Sequence, residues 1–353
     1  MAFDPDDYKT PQCKVIVDGT ELKSSSYNIE QVNVQVSAND KANSADVSIV
    51  ADYDNENSSV AGDLLSTVTA GKKVKIELGY SQTSTVFLGY INTVDVSFSE
   101  GGVFVNFSCL DARGLLMGNI SWQSHEKESV SQIIDALLKP LQSYTDGITV
   151  DVDGEANKEN PLSQNDLDDY KFICQLAKLT GSTFYMPNTK LLFVKNPFED
   201  AEIQHEYQWG RDILSFNRTV DLSEQLGSIT VTGNSPDTAK EFSATATPPS
   251  GDGKTGAQLN SGVKGKERTV TNYTVTTQEE AQKYADAMML EAALKLSSGS
   301  ARVLGNEKLT PGEGVSFEGL DPDIDGEYLI MSLTHSYSAG GFLTTIGFRS
   351  TTA

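Results

Sequence analysis

Two stretches of this chain repeat one order of strands and glycine turns, and this repeat limits the possible folds more than any other feature. The first stretch contains TAGKKVKIEL, VFLGYINTVDVSF and SEGGVFVNF, and the last contains LTPGEGVSFEGL, GEYLIMSLTHSY and SAGGFLTTI. Glycine allows the positive φ of tight hairpins, and alternating apolar residues bury one face of a strand. Unrelated antiparallel meanders could share such a pattern. The matched order, near-equal spacing and Ser-x-Gly-Gly turns favour two similar β-barrels.

The first barrel is predicted to occupy residues 1–111. Short runs alternate apolar and polar residues there, as in Val32, Val34 and Val36 or in Val94, Val96 and Phe98. Turn residues such as Asp18-Gly19 and Gly101-Gly102 separate the runs. Six or seven strands with such turns are typical of a barrel or sandwich.

Residues 112–205 are predicted to form a small α+β insertion. SVSQIIDALLKPL has apolar residues at helical spacing and ends at Pro140. A second helix follows, with Asn165 or Asp166 as the N-cap and Gly181 as the stop. STFYMPNTKLLFVK then resembles a hairpin that turns at Pro187-Asn188.

The second barrel is predicted to occupy residues 206–353. Within it, residues 244–265 lack hydrophobic periodicity and are predicted to be a long mobile loop. Residues 277–297 are predicted to be a helix, opened by Thr276 or Thr277. The expected fold class is therefore mainly β with an α+β insertion: two similar β-barrels, a small α+β domain and an additional helix near the second barrel.

The charge and the cysteines exclude several classes of protein. The formal net charge is -22 and the densest basic stretch is only Lys264, Lys266 and Arg268, so direct nucleic-acid binding is not expected. No run reaches the roughly 18 apolar residues of a membrane helix, and MAFDPDDYKT lacks the features of a signal peptide. We therefore expect that the protein does not insert into a membrane. We expect it to be assembled in the cytoplasm. Cys13, Cys109 and Cys174 are distant from one another, and buried free thiols are expected.

No motif in the sequence indicates catalysis, a cofactor or a metal. The three histidines, His125, His205 and His335, belong to no HExxH or Cys/His pattern, and His335 is expected to face a surface or a lumen. Glu126 and Asp168 cannot be distinguished from surface acids. The acidic stretch 52–56 lacks the glycine and glutamate of a calcium loop, and no strand leads into GDGKTG. We predict that the protein is not an enzyme.

Four stretches carry a resemblance to the phage late control protein D family, which includes the hub portion of VgrG spike proteins and the baseplate hubs of contractile phages and R-type bacteriocins. They are PQCKVIVDGTEL, QNDLDDYKFICQLAKLTGSTFY, ILSFNRTVDLSEQLGSITVTGNSP and GNEKLTPGEGVSFEGLDPDIDGEYLIMSLTHSYSAGGFLTT. Two departures stand out. VgrG proteins continue into an OB-like domain and a β-helical needle, and some phage hubs carry a fused lysozyme or peptidase. The sequence shows none of these.

The resemblance implies a structural hub. In such hubs three chains each supply two barrels to a ring, which then has pseudo-six-fold symmetry and joins a six-fold tube to a three-fold spike. The implied partners are two further copies of the chain, a tail tube or tube-initiator protein, a central spike protein and other baseplate proteins. The implied location is a virion or a phage-tail-like particle, and the kind of particle stays open.

Two other functions remain open from the sequence. One is a tail-associated hydrolase that clears the cell wall, which the lack of catalytic motifs disfavours. The other is a secreted β-rich binding module, which the lack of a signal peptide and of paired cysteines disfavours.

Overall fold

The computed structural model describes residues 10–38, 41–60, 63–152, 161–198, 201–234, 240–251, 253–272 and 274–353. The acidic N-terminus, residues 1–9, and Asp252 of the GDGKTG stretch lie outside the described residues. The fold is mainly β, as predicted, with one large sheet and several small ones.

The first barrel contains nine strands and one short helix. These are β1 (Gln12–Val17), β2 (Thr20–Glu21), β3 (Tyr27–Ser37), β4 (Ser44–Ala51), β5 (Tyr53–Asp54), β6 (Ser59–Val60), α1 (Leu64–Thr67), β7 (Lys73–Gly79), β8 (Thr83–Ser99) and β9 (Gly102–Leu110). Six of the strands pair in the order β3-β4-β9-β8-β7-β1. Alternation sets the face that is buried: in β4, Ala45, Val47 and Ile49 enter the core and the residues between them do not.

The middle segment contains short strands and two helices. They are β10 (Ile120–Ser121), β11 (Ser124–His125), α2 (Val130–Leu138), β12 (Ile148–Val150), β13 (Leu162–Ser163), β14 (Leu167–Asp168), α3 (Asp169–Thr180), β15 (Ser182–Tyr185) and β16 (Leu191–Lys195), with 3₁₀ turns at Ala112–Leu116 and Lys139–Tyr144. The predicted hairpin forms, because β15 pairs antiparallel with β16. Gly181 ends α3 in a left-handed conformation, also as predicted. The predicted N-cap is wrong: Asp168 accepts a hydrogen bond from the Lys171 N–H, because the residues before it pair with β10.

The second barrel follows the first in the order of its strands. Its part of the chain contains β17 (Ile203–Gln208), β18 (Ile213–Val220), β19 (Ser228–Asn234), β20 (Glu241–Ala246), α4 (Gly256–Leu259), α5 (Ser261–Lys264), β21 (Glu267–Thr271), α6 (Gln278–Ala293), β22 (Ser297–Leu304), β23 (Gly314–Glu318), β24 (Gly326–Ser338) and β25 (Gly341–Ser350). Strands pair in the order β18-β22-β25-β24-β23-β17, which repeats β3-β4-β9-β8-β7-β1 position by position. The last pair differs: β17 runs parallel to β23, whereas β1 runs antiparallel to β7.

Backbone details confirm the duplication. The Gly71 N–H donates to the Ile91 carbonyl and the Gly312 N–H donates to the Ile330 carbonyl, each over 2.8 Å. Both glycines have positive φ, which glycine adopts readily because it has no Cβ. This explains why glycine occupies each turn. Each central strand also has a bulge at the same distance before its hairpin, at Asn92 in β8 and at Met331 in β24. Two copies of one pattern therefore share their irregularities as well as their strand order.

A third core joins the middle segment to residues from the second half of the chain. Helix α6 packs against α3 and against the small sheet β20-β19-β21. Its Ala281, Ala285 and Met289 lie in the same apolar cluster as Phe172 and Phe193. Helix α6 then leads into β22, so this core is joined directly along the chain to the second barrel. The division of the chain at residues 111 and 205 stays a prediction.

The stretch 244–265 has more regular structure than predicted. It contains the end of β20 and the short helices α4 and α5. Val263 is buried, and Lys254 exchanges two backbone hydrogen bonds with Ala353. Tertiary contacts, which hydrophobic periodicity does not report, hold this segment. Its mobility stays a prediction.

Candidate assembly interface

Strands β24 and β3 join the two barrels into one continuous sheet. Residues 332–338 pair antiparallel with residues 31–37 in unbroken register. Side chains cross the junction, since Phe342 of the second barrel lies in the core of the first and Tyr337 packs against that core. The Tyr80 hydroxyl also donates to the Phe342 carbonyl over 3.3 Å. The chain therefore contains one complete barrel-to-barrel contact, the pairing of β24 with β3, which we call the finished contact.

His335 lies in this junction. It is only 2% exposed, its Nδ1 is 2.9 Å from Thr344 Oγ1, and its ring is 5.8 Å from that of Phe342. Burial lowers its pKa to about 4, so the imidazole is neutral at pH 7. The expectation that His335 faces a surface or lumen is wrong, because β3 covers the edge of β24 and completes the barrel around it.

Several strand edges of the large sheet have no partner strand among the described residues, including those of β2 and β17, and two of the others carry exposed apolar side chains. Residues 93–99 of β8 pair with β9 on one side and extend beyond β7 on the other. Strand β18 ends the sheet: β22 pairs with it on one side, and its other contact is an isolated bridge between Ile213 and Trp209. Exposed apolar side chains lie on both edges, among them Phe98, which is 63% exposed, and Val220. Unpaired apolar edges of this kind are sites of strand addition.

The face of the junction strands turned away from the cores is polar and uncharged. Its side chains are Gln31, Asn33 and Gln35 of β3 and Ser332, Thr334 and Ser336 of β24. The residues between them, such as Val34 and Leu333, are buried on the opposite face. This hydroxyl and amide face is suited to contact with water.

A buried polar network fixes the middle segment to the first barrel. The Asp111 carboxylate binds the guanidinium of Arg113 at 2.8 Å, and both side chains are essentially inaccessible to solvent. Arg113 Nη2 donates to Asn43 Oδ1, and Asn43 Nδ2 donates to the Met186 carbonyl over 2.6 Å. The network links the ends of strands β4 and β9 to the β15–β16 turn.

An exposed apolar patch lies on the middle segment. Its residues are Leu115, Met117, Ile120 and Trp122, of which Trp122 is 76% exposed. A neighbouring groove of about 620 Å³ is lined by Met117, Leu167, Tyr170, Cys174 and Tyr284. Such a patch on a globular domain is typical of a protein-binding surface.

The structure does not gather the candidate chemical residues into one site. His125 stacks on Phe172 and its Nδ1 lies 3.1 Å from Glu128, whereas His205 Nε2 lies 3.4 Å from Glu313. Asp168 is the α3 cap and Glu126 is exposed. Within the described part of the chain, no cluster of His, Cys, Asp or Glu could hold a metal ion.

The other residues singled out in the sequence have local roles. In the acidic stretch 52–56, the Asp54 carboxylate accepts hydrogen bonds from the backbone N–H groups of Glu56 and Asn57, which closes a turn. Lys264, Lys266 and Arg268 are exposed. The thiols of Cys13 and Cys109 are free; Cys109 is buried, whereas Cys13 and Cys174 are partly buried. Among the described helices, none is both long and apolar enough to cross a membrane.

The two free edges were not recognisable in the sequence. Val94, Val96 and Phe98 alternate as core residues do, so their pattern predicts burial. Only the strand order shows that no neighbour covers them within the described part of the chain.

Solved structures of phage tail proteins share this fold. A 43 kDa tail protein of prophage MuSo2 from Shewanella oneidensis matches with a TM-score of 0.72 at 16% identity, over 96% of this chain and 98% of that one. A tail protein from Neisseria meningitidis matches with a TM-score of 0.72 at 14% identity, over 97% of each chain. A component of the E. coli type VI secretion system, structurally similar to the T4 bacteriophage tail proteins gp27 and gp5, matches with a TM-score of 0.59 at 12% identity, over 95% of this chain and 76% of that one. At these identities the likeness establishes the fold.

Comparison with families gives a different name from the sequence resemblance. No curated protein matches the chain significantly in sequence. The family model that matches is Alg8_N, rather than late control protein D. Because this match spans residues 7–339, the chain belongs to the family described as the Alg8 N-terminal domain.

Proposed function

We propose that this protein is a structural baseplate hub of a contractile phage tail or of a phage-tail-like injection particle, related to the late control protein D hubs. The observation that carries the proposal is the duplication: one strand order occurs twice and β24 pairs with β3 to make one sheet. The shared fold with phage tail proteins supports it. In this role the chain is a homotrimer of pseudo-six-fold symmetry.

The duplication provides the means of matching two symmetries. Three chains present six similar barrels, which suit a six-fold tail tube or tube-initiator protein. The middle segment has no duplicate in the strand order, so its surfaces recur three times and suit a three-fold central spike. The apolar patch around Trp122 is the surface that we assign to the spike or to another baseplate protein.

The polar face of the junction strands supports a ring with an aqueous opening. In a closed ring of barrels one face of the sheet is turned inwards. We assign the face that contains Gln31 and Thr334 to the channel wall, because its side chains are polar and uncharged. Hydroxyl and amide side chains hold water there and need no further protein partner.

A structural role also fits the chemistry of the described residues. The buried carboxylate Asp111 is neutralised by Arg113, and Asp168 caps a helix. Each of these acids has a structural explanation, so neither needs a catalytic one. In this proposal the hub is assembled in the bacterial cytoplasm, carries no cofactor, and enters a virion or a tail-like particle.

The mass in solution tests the proposal. Light scattering of the purified protein should give about three times the chain mass of 38.1 kDa. Electron microscopy of that species should show six similar densities around a central opening. A strict monomer at high concentration that joins neither a tube nor a spike protein would contradict the hub, and digestion of purified cell walls would contradict a purely structural role.

A further inference from the structure

We infer that residues 93–99 of β8 pair with β18 of a second copy of this chain and so form the seam between neighbouring subunits. The inference deepens the proposed hub, because it rests on that function for the number of chains and adds the strands and the register. Among the described residues, neither residues 93–99 of β8 nor residues 215–220 of β18 have a second partner strand. The finished contact between β24 and β3 within each chain supplies the geometry.

The strands of the finished contact correspond to the strands with free edges. The hairpin pair Ser99–Gly102 corresponds to the pair Ser338–Gly341, and the bulges of β8 and β24 lie equally far before them. Residues 93–99 therefore correspond to residues 332–338, which pair with β3.

Strand β18 corresponds in the same way to β3. The bulge of β18 between Ile213 and Ser215 matches that of β3 between Ile29 and Gln31. Ser215 therefore corresponds to Gln31, and Asn217 corresponds to Asn33.

The register follows by transfer from one contact to the other. Within the chain, Ser338 lies opposite Gln31, Tyr337 opposite Val32 and Ser336 opposite Asn33. The same register across the seam places three residues of β8 opposite three residues of β18. The pairs are Ser99 with Ser215, Phe98 with Phe216, and Ser97 with Asn217. In this register, the side chains of β8 and β18 that lie opposite each other point to the same face of the sheet.

Exposure along the free edges agrees with a missing neighbour. Val96 is 37% exposed and Phe98 is 63% exposed, whereas their counterparts His335 and Tyr337 are buried and half-buried at the internal junction. Val220 is 45% exposed, and its counterpart Val36 is buried. Neither edge has the proline or lysine by which natural edge strands commonly avoid pairing.

The seam uses different surfaces on the two chains that meet. Each copy offers residues 93–99 of β8, which extend beyond β7 in the first barrel, and β18, which ends the sheet in the second barrel; the two surfaces differ, so the contact is head-to-tail. Head-to-tail contacts generate closed rings when the rotation per subunit divides the circle, and open fibres when it does not. Repetition of the internal junction at every seam gives the equal rotations that closure requires.

Disulfide trapping tests the register. A chain with Ser97→Cys and Asn217→Cys should form linked dimers and trimers under mild oxidation, because directly opposite residues lie within disulfide range. The matched control is Thr93→Cys with Asn217→Cys, whose cysteines would be four residues, or about 13 Å, out of register. We expect at least a tenfold higher linked fraction from the first pair. Burial raises the pKa of Cys13 to about 12, and the unmodified chain measures the background of its three thiols.

A substitution tests the strand edge separately. Phe98→Asp places a charge in the seam and should convert the trimer to a monomer with unchanged circular dichroism, because Phe98 is mostly exposed within one chain. Leu259→Asp, on the exposed face of α4, is the matched control and should leave the trimer intact.

The outcomes separate this inference from the proposed hub. A trimer that neither forms the Ser97–Asn217 disulfide nor responds to Phe98→Asp would overturn the seam and leave the hub standing. Preferential linking of the out-of-register control would overturn the register. A chain that never associates would overturn both.

Discussion

His335 and Val96 occupy equivalent positions in the central strands of the two barrels, yet their surroundings differ. His335 is covered by β3 and held neutral, whereas Val96 lies on an edge that no described strand covers. The same strand, with the same bulge and hairpin, is finished in one copy and open in the other. The two copies of the repeated unit are therefore not equivalent. Their order along the chain decides which strand edge finds a partner strand within the same chain.

The ends of the two barrels differ as well. Asn43 and Asp111, at the ends of β4 and β9, bind the buried Arg113. The equivalent positions in the second barrel are the paired residues Ser297 and Ser350. The first barrel alone thus has a charged anchor for the middle segment.

Removal of that anchor should have the largest effect on stability. Arg113→Ala leaves the Asp111 carboxylate buried without its cation, so the free energy of unfolding should fall by about 3–5 kcal/mol. Denaturant titration measures the change. Arg211→Ala, which breaks an exposed pair with Asp212, is the control and should change the free energy of unfolding far less, because solvent screens that pair. Equal losses from the two variants would show that the anchor is not specific.

Acid should weaken the internal junction. The folded protein holds His335 neutral down to about pH 4, whereas the unfolded chain takes up the proton near pH 6.5. Unfolding therefore binds a proton between these values, and stability falls as the pH drops from 6.5 towards 4, by about 3 kcal/mol in all. Unfolding titrations across this range measure the slope.

The control for that slope is His335→Val, which places in β24 the residue that β8 has at the equivalent position. Carboxylates that titrate in both proteins cancel in the comparison. The variant should lose this part of the pH dependence; an identical slope in both proteins would exclude His335 as its source.

A smaller effect should reveal how closely the two copies correspond. Gly71→Ala and Gly312→Ala each place a Cβ at positive φ, where an L-residue is strained by about 1–2 kcal/mol. A Cβ at Gly71 would meet no other atoms, and one at Gly312 would meet Pro197 and Tyr185 at ordinary contact distances. We therefore expect similar decreases in melting temperature. Strongly different decreases in melting temperature for the two variants would show that the two turns are not equivalent.

Much of the fold could be predicted because it is specified locally. The Ser-x-Gly-Gly turns, the alternation of Val32, Val34 and Val36, and the stop at Gly181 all act within a few residues. The features that were predicted wrongly depend on contacts between residues far apart in the sequence. His335 is buried by β3, and α5 in the predicted loop is held by contacts such as that of Val263.

The sequence by itself therefore determined the repeated strand pattern, the α+β insertion and the absence of recognisable catalytic motifs, since turn chemistry and periodicity are local properties. The tertiary structure alone decided which strands become neighbours. Strand pairing joins residues far apart in the chain, so only the assembled sheet distinguishes the covered edge at His335 from the open edge at Val96.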